Sequence, residues 1–325
     1  MNILLWHVHG SWTTAFVHGK HRYLVPVTPD RGPYGLGRAR TYTWPDTVEE
    51  VTPEALADED VDLVVLQRPE EIELAHTWLG RRRIGVDLPA IFVEHNTPKG
   101  DVPNTRHPMA DRDDLLVAHV THFNSLCWDT GTTRTTVVEH GVVEPVARYT
   151  GELDRLAVVV NEPIRRWRVT GTDLLPRFAE IAPLDVFGMG VTGLAEHLGL
   201  PPERMATYDD LPQARMQTEI GRRRAYLHLC RWTSLGLSLI EAMTIGLPVV
   251  VLAATEAVEA VPPRAGVLST RVDILLDAAR RLVEEPALAH RVGAGAREAA
   301  LTRYGLDRFL ADWDRLLEEE LCASR

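Results

Sequence analysis

Between Arg231 and Glu256 the sequence carries one formal charge, Glu241, set inside the apolar run RWTSLGLSLIEAMTIGLPVVV at 231–251. Even a neutral polar group buried without a partner costs about 2–7 kcal/mol, and an ionised acid costs more. Glu241 therefore needs a partner, either internal, such as a buried arginine or a backbone amide, or external, such as the hydroxyls of a ligand. AYLHLC reads as a strand, RWTS as its exit, and the helix is expected to open near Ser234 or Leu235 with Thr233 or Ser234 as its cap. Gly236 lets a ligand approach the backbone, and the free amides of a first turn that includes Leu237 suit a phosphate or diphosphate. Glu241 lies about six residues further on, roughly 9 Å along the axis. That separation fits a nucleotide whose phosphates rest at the helix start while its ribose hydroxyls meet the acid.

Other residues could share this chemistry. VVVNEPIRRWRVTGTDLLPRF places Arg165, Arg166 and Arg168 in one loop after an apolar strand, as a phosphate clamp or as a solvated basic loop. In LDVFGMG, Gly188 and Gly190 serve either a close ligand approach or a tight turn, and Tyr208 is a candidate to flank a base. Near the start, HVHGSW sets His7 and His9 on one face if the strand continues. No acidic third ligand follows them, so a polar strand end is expected and no metal. Gly10 and Ser11 read as a close-approach turn with a helix cap. The loop VEHNTPKGDVPNTRHPMADRDD has the length of a functional connection. It carries His95 at a strand's carboxyl end, as a catalytic candidate or a structural cap, and Arg106 and His107 as acceptor contacts. Its DRDD reads as exposed acids at a helix start.

The elements that must position these residues follow from hydrophobic rhythm. Strand patterns NILLWHV, YLVPV, DLVVL, AIFVEH, LLVAHVT and TTVVEH alternate with helical stretches, and a second series opens with RLAVVV, LDVFG, AYLHL and LPVVVLA after a break near 145–153. The pattern predicts two doubly wound α/β domains, 1–150 and 151–325, with ligands at the carboxyl ends of the strands in a cleft between them. From Val272 the chain reads as helical, with Phe309, Trp313, Leu316 and Leu317 as the apolar stripe of a last helix placed to pack back on the first domain.

Composition excludes several classes. At 325 residues and 45% hydrophobic content, two cores are affordable. The net charge of −11 leaves no basic face for nucleic acid or an anionic membrane, although local arginine clusters remain able to hold a small anion. Cys127, Cys230 and Cys322 have neither disulfide-framework nor zinc spacing, which fits a reducing cytoplasm. MNILLWHVHG reads as a strand and not as a signal peptide, and no apolar run reaches the roughly 18 residues of a membrane span. Lysine occurs only at Lys20 and Lys99, against many arginines, as in a GC-rich bacterial genome.

SLGLSLIEAMTIGLPVVV resembles the signature segment of GT-B glycosyltransferases of family 4, with Gly236, Leu237, Glu241, Ala242, Met243, Gly246, Pro248, Val249 and Val250 matching. The resemblance implies that Glu241 binds the ribose of a nucleoside-diphosphate sugar. The first acid of the family's pair falls at Thr233, which departs from the pattern at the donor sugar. In the basic loop Gly171 and Asp173 match, Arg165 falls at the phosphate-binding arginine, and Thr170 replaces the lysine, leaving Arg166 or Arg168 to supply its charge. The likeness spans most of 155–260. It further implies a Gly10 and Ser11 loop near the donor phosphate, His95 near the donor sugar, a retaining mechanism without a metal or other cofactor, and a hydroxylated acceptor held mainly by the first domain. A sugar-nucleotide epimerase or hydrolase on the same fold, or a non-catalytic sugar-nucleotide binder, are the alternatives. Donor base, sugar, acceptor and oligomeric state are not legible.

Overall fold

Short apolar and β-branched runs become parallel strands in both halves of the chain, in a computed structural model that describes residues 1–80, 82–102 and 104–323. Two compact units result, Met1–Val143 with Leu306–Arg325, and Glu144–Gly305. The division thus falls at 143–144, a little before the expected 150–151, and the last helix belongs to the first unit.

Among the described residues the first unit has a seven-stranded sheet. Its strands are β1 (Asn2–Leu5), β2 (Arg22–Pro26), β3 (Val48–Val51), β4 (Leu63–Leu66), β5 (Ala90–Glu94), β6 (Leu116–His119) and β7 (Arg134–Val137), all parallel in the order β3-β2-β1-β4-β5-β6-β7. Central β4 and β5 are buried along their whole length, as expected of strands covered on both faces. Edge strand β3 reads VEEV, burying its valines and exposing its glutamates, and this polar content hid it from the hydrophobic pattern. The last helix, Leu306–Ala323, buries Phe309, Trp313, Leu316 and Leu317. Trp313 stands edge-on to Trp12 at 5.6 Å and to Phe16 at 5.1 Å. Burying each such ring is worth at most about 4–6 kcal/mol, and a bidentate Arg134 to Glu320 pair at 2.8 Å adds to it.

The second unit repeats the plan with β8 (Leu153–Val159), β9 (Leu184–Gly188), β10 (Met205–Asp209), β11 (Arg223–His228), β12 (Val249–Leu252) and β13 (Gly266–Ser269), parallel in the order β10-β9-β8-β11-β12-β13. The signature segment forms the end of β11, a loop, the helix Leu237–Ile245 and β12. Gly246 closes that helix at φ 104°, its N–H reaching the carbonyls of Ala242 and Met243. The arginines that open β11 are spent inside the fold. Arg223 bonds Asp185 at 2.7 Å, and Arg224 bonds the carbonyls of Gly151 and Val283 at 2.8 and 2.7 Å. Among the described residues no helix is long and apolar enough to cross a membrane.

Candidate functional site

In the second unit the strand order reverses between β8 and β11, and a doubly wound sheet offers a ligand crevice at the carboxyl ends of such a strand pair. The loops leaving these two strands are stitched together. Arg231 and Trp232 donate their backbone N–H to the Val169 carbonyl at 2.8 and 3.4 Å. Gly171, at φ 74°, sits so close to the end of β11 that a Cβ there would overlap the Leu229 carbonyl. The same loop holds two left-handed non-glycine residues, Glu162 at φ 55° and Trp167 at φ 40°. Such conformations cost about 1–3 kcal/mol each and gather at functional sites.

Charge collects here. Asp173, which is 17% exposed in its side chain, receives Arg168 Nη1 at 2.9 Å and Arg231 Nη1 and Nη2 at 2.6 and 3.0 Å. Arg231 Nη1 also reaches the Arg168 carbonyl at 2.7 Å. Two guanidinium groups thus share one carboxylate, leaving net positive charge at the strand ends. Arg165 is highly exposed and makes a long 3.4 Å contact to Glu162. Thr170, at the position of the family's lysine, is buried, its hydroxyl bonded to the Trp167 carbonyl at 2.9 Å and paired with Thr172 at 2.8 Å.

Glu241 is 3% exposed and accepts a hydrogen bond from Gln213 Nε2 at 2.9 Å. This internal partner is a neutral amide from the preceding helix, Gln213–Gly221. The helix carrying Glu241 starts later than the sequence suggested. Its cap is Gly236 in extended conformation and makes no side-chain bond, so neither Thr233 nor Ser234 caps it. Leu237 opens the helix, and the acid lies four residues on, about 6 Å along the axis. Gly236 is required by a neighbour within the protein, since a Cβ would overlap the His228 ring. Burial lowers that imidazole's pKa to about 4, so it is neutral near pH 7. Ser234 is buried, its carbonyl 3.4 Å from the Glu256 N–H, while Thr233 is partly exposed.

Two donor candidates in this unit have structural tasks. Gly188, at φ 134°, turns where a Cβ would overlap the Val160 carbonyl, so its close approach is to protein backbone. Tyr208 stacks on Phe187 at 4.6 Å, and its hydroxyl receives Arg223 Nη2 at 3.4 Å. Because Arg223 begins β11, Tyr208 is turned away from the strand's carboxyl end, against a role beside a base. Asp209 ties the neighbouring loop, accepting Gly190 N–H at 3.0 Å and the Thr192 hydroxyl at 2.6 Å.

In the first unit the order reverses between β1 and β4. His7 and His9 part company because β1 ends at Leu5. His7 Nδ1 lies 3.1 Å from the Gly37 carbonyl, whereas the His9 ring packs on His95 at a centroid distance of 4.0 Å. His9 caps the helix Gly10–Phe16 without a side-chain bond. Ser11 lies inside that helix with its hydroxyl 3.2 Å from Tyr42 Oη, and the Tyr42 ring fills the space beside Gly10, so the expected Ser11 cap does not form. His95 is 9% exposed, packs edge-on with Trp12 at 5.0 Å, and its Nε2 is buried without a hydrogen-bond partner among the described residues. Burial and the nearby His9 and His140 hold it neutral, well below the usual imidazole range.

The two acceptor candidates differ in their surroundings. His107 is buried. Its Nδ1 accepts the Met109 N–H at 3.0 Å, which leaves Nε2 to donate to Glu94 Oε2 at 2.9 Å. Glu94 Oε1 accepts the Asn96 N–H at 2.5 Å, so this acid and His107 clasp the long loop to β5, and the His107 ring is turned inward. Arg106 is exposed but ion-paired with Asp111 and with Asp129.

Arg231 and Gln213 were not marked by the sequence reading, although Arg231 heads the signature segment, and Asp173 was marked only as a motif match. A cation at the head of the apolar signature segment was the available signal.

Residues 193–299 match the family model described as glycosyl transferases group 1. No curated protein sequence matches the chain significantly. Among solved structures, the chain is similar to sucrose-phosphate synthase from Thermosynechococcus elongatus, with TM-score 0.73 and 13% identity over 100% of both chains. It is similar to Anabaena HepE in complex with UDP and glucose, with TM-score 0.68 and 12% identity over 98% of this chain and 100% of that one. A glycosyltransferase from Rickettsia africae gives TM-score 0.65 and 11% identity over 98% of each chain. The architecture is therefore that of the GT-B fold.

Proposed function

We propose that the protein transfers a glycosyl group from a nucleoside-diphosphate sugar to a hydroxyl-bearing acceptor, with the donor held by the second unit. The observation that carries the reading is the position of Glu241, an acid buried in an apolar helix four residues inside a helix start whose loop is laced to an arginine pair. The glycosyl transferase match covers this segment, and the HepE structures with UDP and with UDP-glucose support uridine as the first base to test.

In this reading the Glu241 carboxylate accepts the ribose hydroxyls, and the amides from Leu237 onward receive the diphosphate. Arg168 and Arg231, fixed by Asp173, together with the exposed Arg165, offset the charge that grows on the leaving diphosphate. Arg231 takes over the charge that buried Thr170 lacks, and Thr233 or Ser234 makes neutral contact with the sugar. His95, in the first unit, is the catalytic group at the transferred sugar. The bond from the anomeric carbon to the diphosphate oxygen breaks, a bond from that carbon to the acceptor oxygen forms, and the acceptor proton leaves with the diphosphate. Guanidinium groups and helix amides do this work in a retaining, metal-independent reaction.

The test is a panel of nucleoside diphosphates and their sugars read by thermal shift, followed by release of free diphosphate with and without hydroxylated acceptors. Stabilisation by a uridine nucleotide with acceptor-dependent diphosphate release is expected. Release without acceptor would mark a hydrolase, and binding without any release a sugar-nucleotide binder. No shift with any nucleotide sinks the reading.

A further inference from the structure

Successive side chains of a strand alternate between its faces, so β11 sends Tyr226 and His228 to the same side. That side meets the start of the helix Leu237–Ile245. The Tyr226 hydroxyl donates to Ser238 Oγ at 2.9 Å, and the Tyr226 and His228 rings are stacked with centroids 6.3 Å apart. The two side chains differ in what their polar atoms find. Tyr226 is fully buried with its partner in place, whereas neither ring nitrogen of His228 is hydrogen-bonded among the described residues. His95 and His119 also hold unpartnered nitrogens, but those are sealed in the interior. The His228 nitrogens are not among the sealed atoms, and the residue keeps an opening of 5%.

The polar edge of the ring faces the helix cap. A Cβ at Gly236 would come within 2.4 Å of His228 Cε1, 3.1 Å of Nε2 and 3.3 Å of Nδ1, so the edge that carries both nitrogens is the one turned toward Gly236. The Gly236 backbone, at φ −69° and ψ 111°, is open to any residue. Glycine is therefore needed there for room and not for conformation, and it leaves the nitrogen-bearing edge uncovered. Gly236, Leu237 and Ser238 are half-buried, and the first N–H groups of a helix have no partner inside it. Packing alone would not call for nitrogen, since leucine fills a similar volume without unmade hydrogen bonds. Burial keeps the ring neutral, with its pKa lowered to about 4, and a neutral imidazole has one N–H to give.

We propose that His228 binds the sugar nucleotide directly: the ring donates from Nε2, the nitrogen nearer the cap, to the phosphate received by the Leu237 and Ser238 amides. The proposal deepens the glycosyl-transfer reading and rests on it. Gly236 is the aperture through which ring and phosphate meet, and the Tyr226 to Ser238 bond fixes the first turn beside the ring. Because the ring is uncharged, its contribution persists at high salt, unlike that of Arg231.

The test is calorimetric titration of the full chain with UDP, ADP, GDP and dTDP, continued with whichever binds best. His228→Leu removes the nitrogens at similar volume. Affinity for that nucleotide is expected to fall about tenfold or more, as the loss of a hydrogen bond to a charged group does, and by the same factor at low and at high salt. Urea unfolding without ligand is expected to show little loss of stability. His228→Gln, whose amide nitrogen reaches the place of Nε2, is expected to recover most of the affinity, and His228→Asn, which is too short, is not. A folded His228→Leu protein with wild-type affinity overturns the proposal, as does a loss that His228→Gln fails to relieve. Should His228→Leu not fold, the contrast between His228→Gln and His228→Asn decides. If wild type binds none of these diphosphates, the glycosyl-transfer reading fails and this proposal falls with it. If wild type binds and Glu241→Gln weakens binding while His228→Leu does not, the reading stands and this proposal alone fails.

Discussion

Replacing Glu241 by glutamine separates a ligand-binding acid from an internal strut, because the two roles predict opposite signs. The substitution keeps the side chain's shape, and its amide oxygen can still accept the Gln213 Nε2 hydrogen bond seen at 2.9 Å. In the ligand-free protein it removes a charge from a site that is 3% exposed while keeping the Gln213 contact, so under the ligand-binding role little stability is expected to be lost. In the complex, two charge-assisted bonds from ribose hydroxyls become neutral ones. Charged hydrogen bonds contribute about 1.5–3 kcal/mol and neutral ones about 0.5–1.5, so the loss is about 2–3 kcal/mol, or roughly 30- to 150-fold in Kd. A nucleotide at about 100 times its wild-type Kd stabilises the native protein by about 2.7 kcal/mol, and the same concentration then stabilises the variant by only about 0.3–0.9 kcal/mol. Scanning fluorimetry with and without UDP reads both quantities. A variant that melts well below wild type without ligand and keeps the full nucleotide shift would show the acid to be a strut, and the donor assignment would fall.

Arg231→Gln is expected to weaken a nucleoside diphosphate about tenfold at low salt and its nucleoside much less, with the difference shrinking as salt rises; titration at two ionic strengths checks this. Gly171→Ala forces a side chain into a φ of 74° and onto the Leu229 carbonyl, so a loss of about 2 kcal/mol or more is expected in urea unfolding. Burial lowers His119 to about 4, with both ring nitrogens unpartnered among the described residues, and lowers His9 to about 4 and His140 to about 3. Between those values and the unfolded 6.5 the unfolded chain binds more protons, so stability is full above pH 6.5 and falls as pH drops toward 4, by up to about 1.4 kcal/mol per pH unit for each histidine. His119→Leu removes one such contribution, and urea unfolding at pH 5 and 6.5 is expected to show a shallower pH dependence.

How much of this was legible depended on whether the deciding contact was local. β4, β5 and the segment from β11 to β12 announce themselves because burial on both faces demands an unbroken apolar run, which any window of the sequence contains. β3 does not, since an edge strand is free to carry Glu49 and Glu50 on its exposed positions. The same division runs through the site. Glu241 was visible as a lone charge, a property of its neighbours in sequence, but Gln213 lies 28 residues away and no spacing rule points to it. His107 looked like an acceptor contact because a polar loop is expected to be wet. Its burial comes from Glu94, 13 residues earlier, which turns the ring inward. Thr170 and Arg231 illustrate how charge absent at one motif position can be placed nearby by a residue distant in sequence. Under the proposed reading the charge missing at Thr170 is offered from 61 positions away, by Arg231, whose backbone is bonded to Val169 and whose side chain is bonded to Asp173.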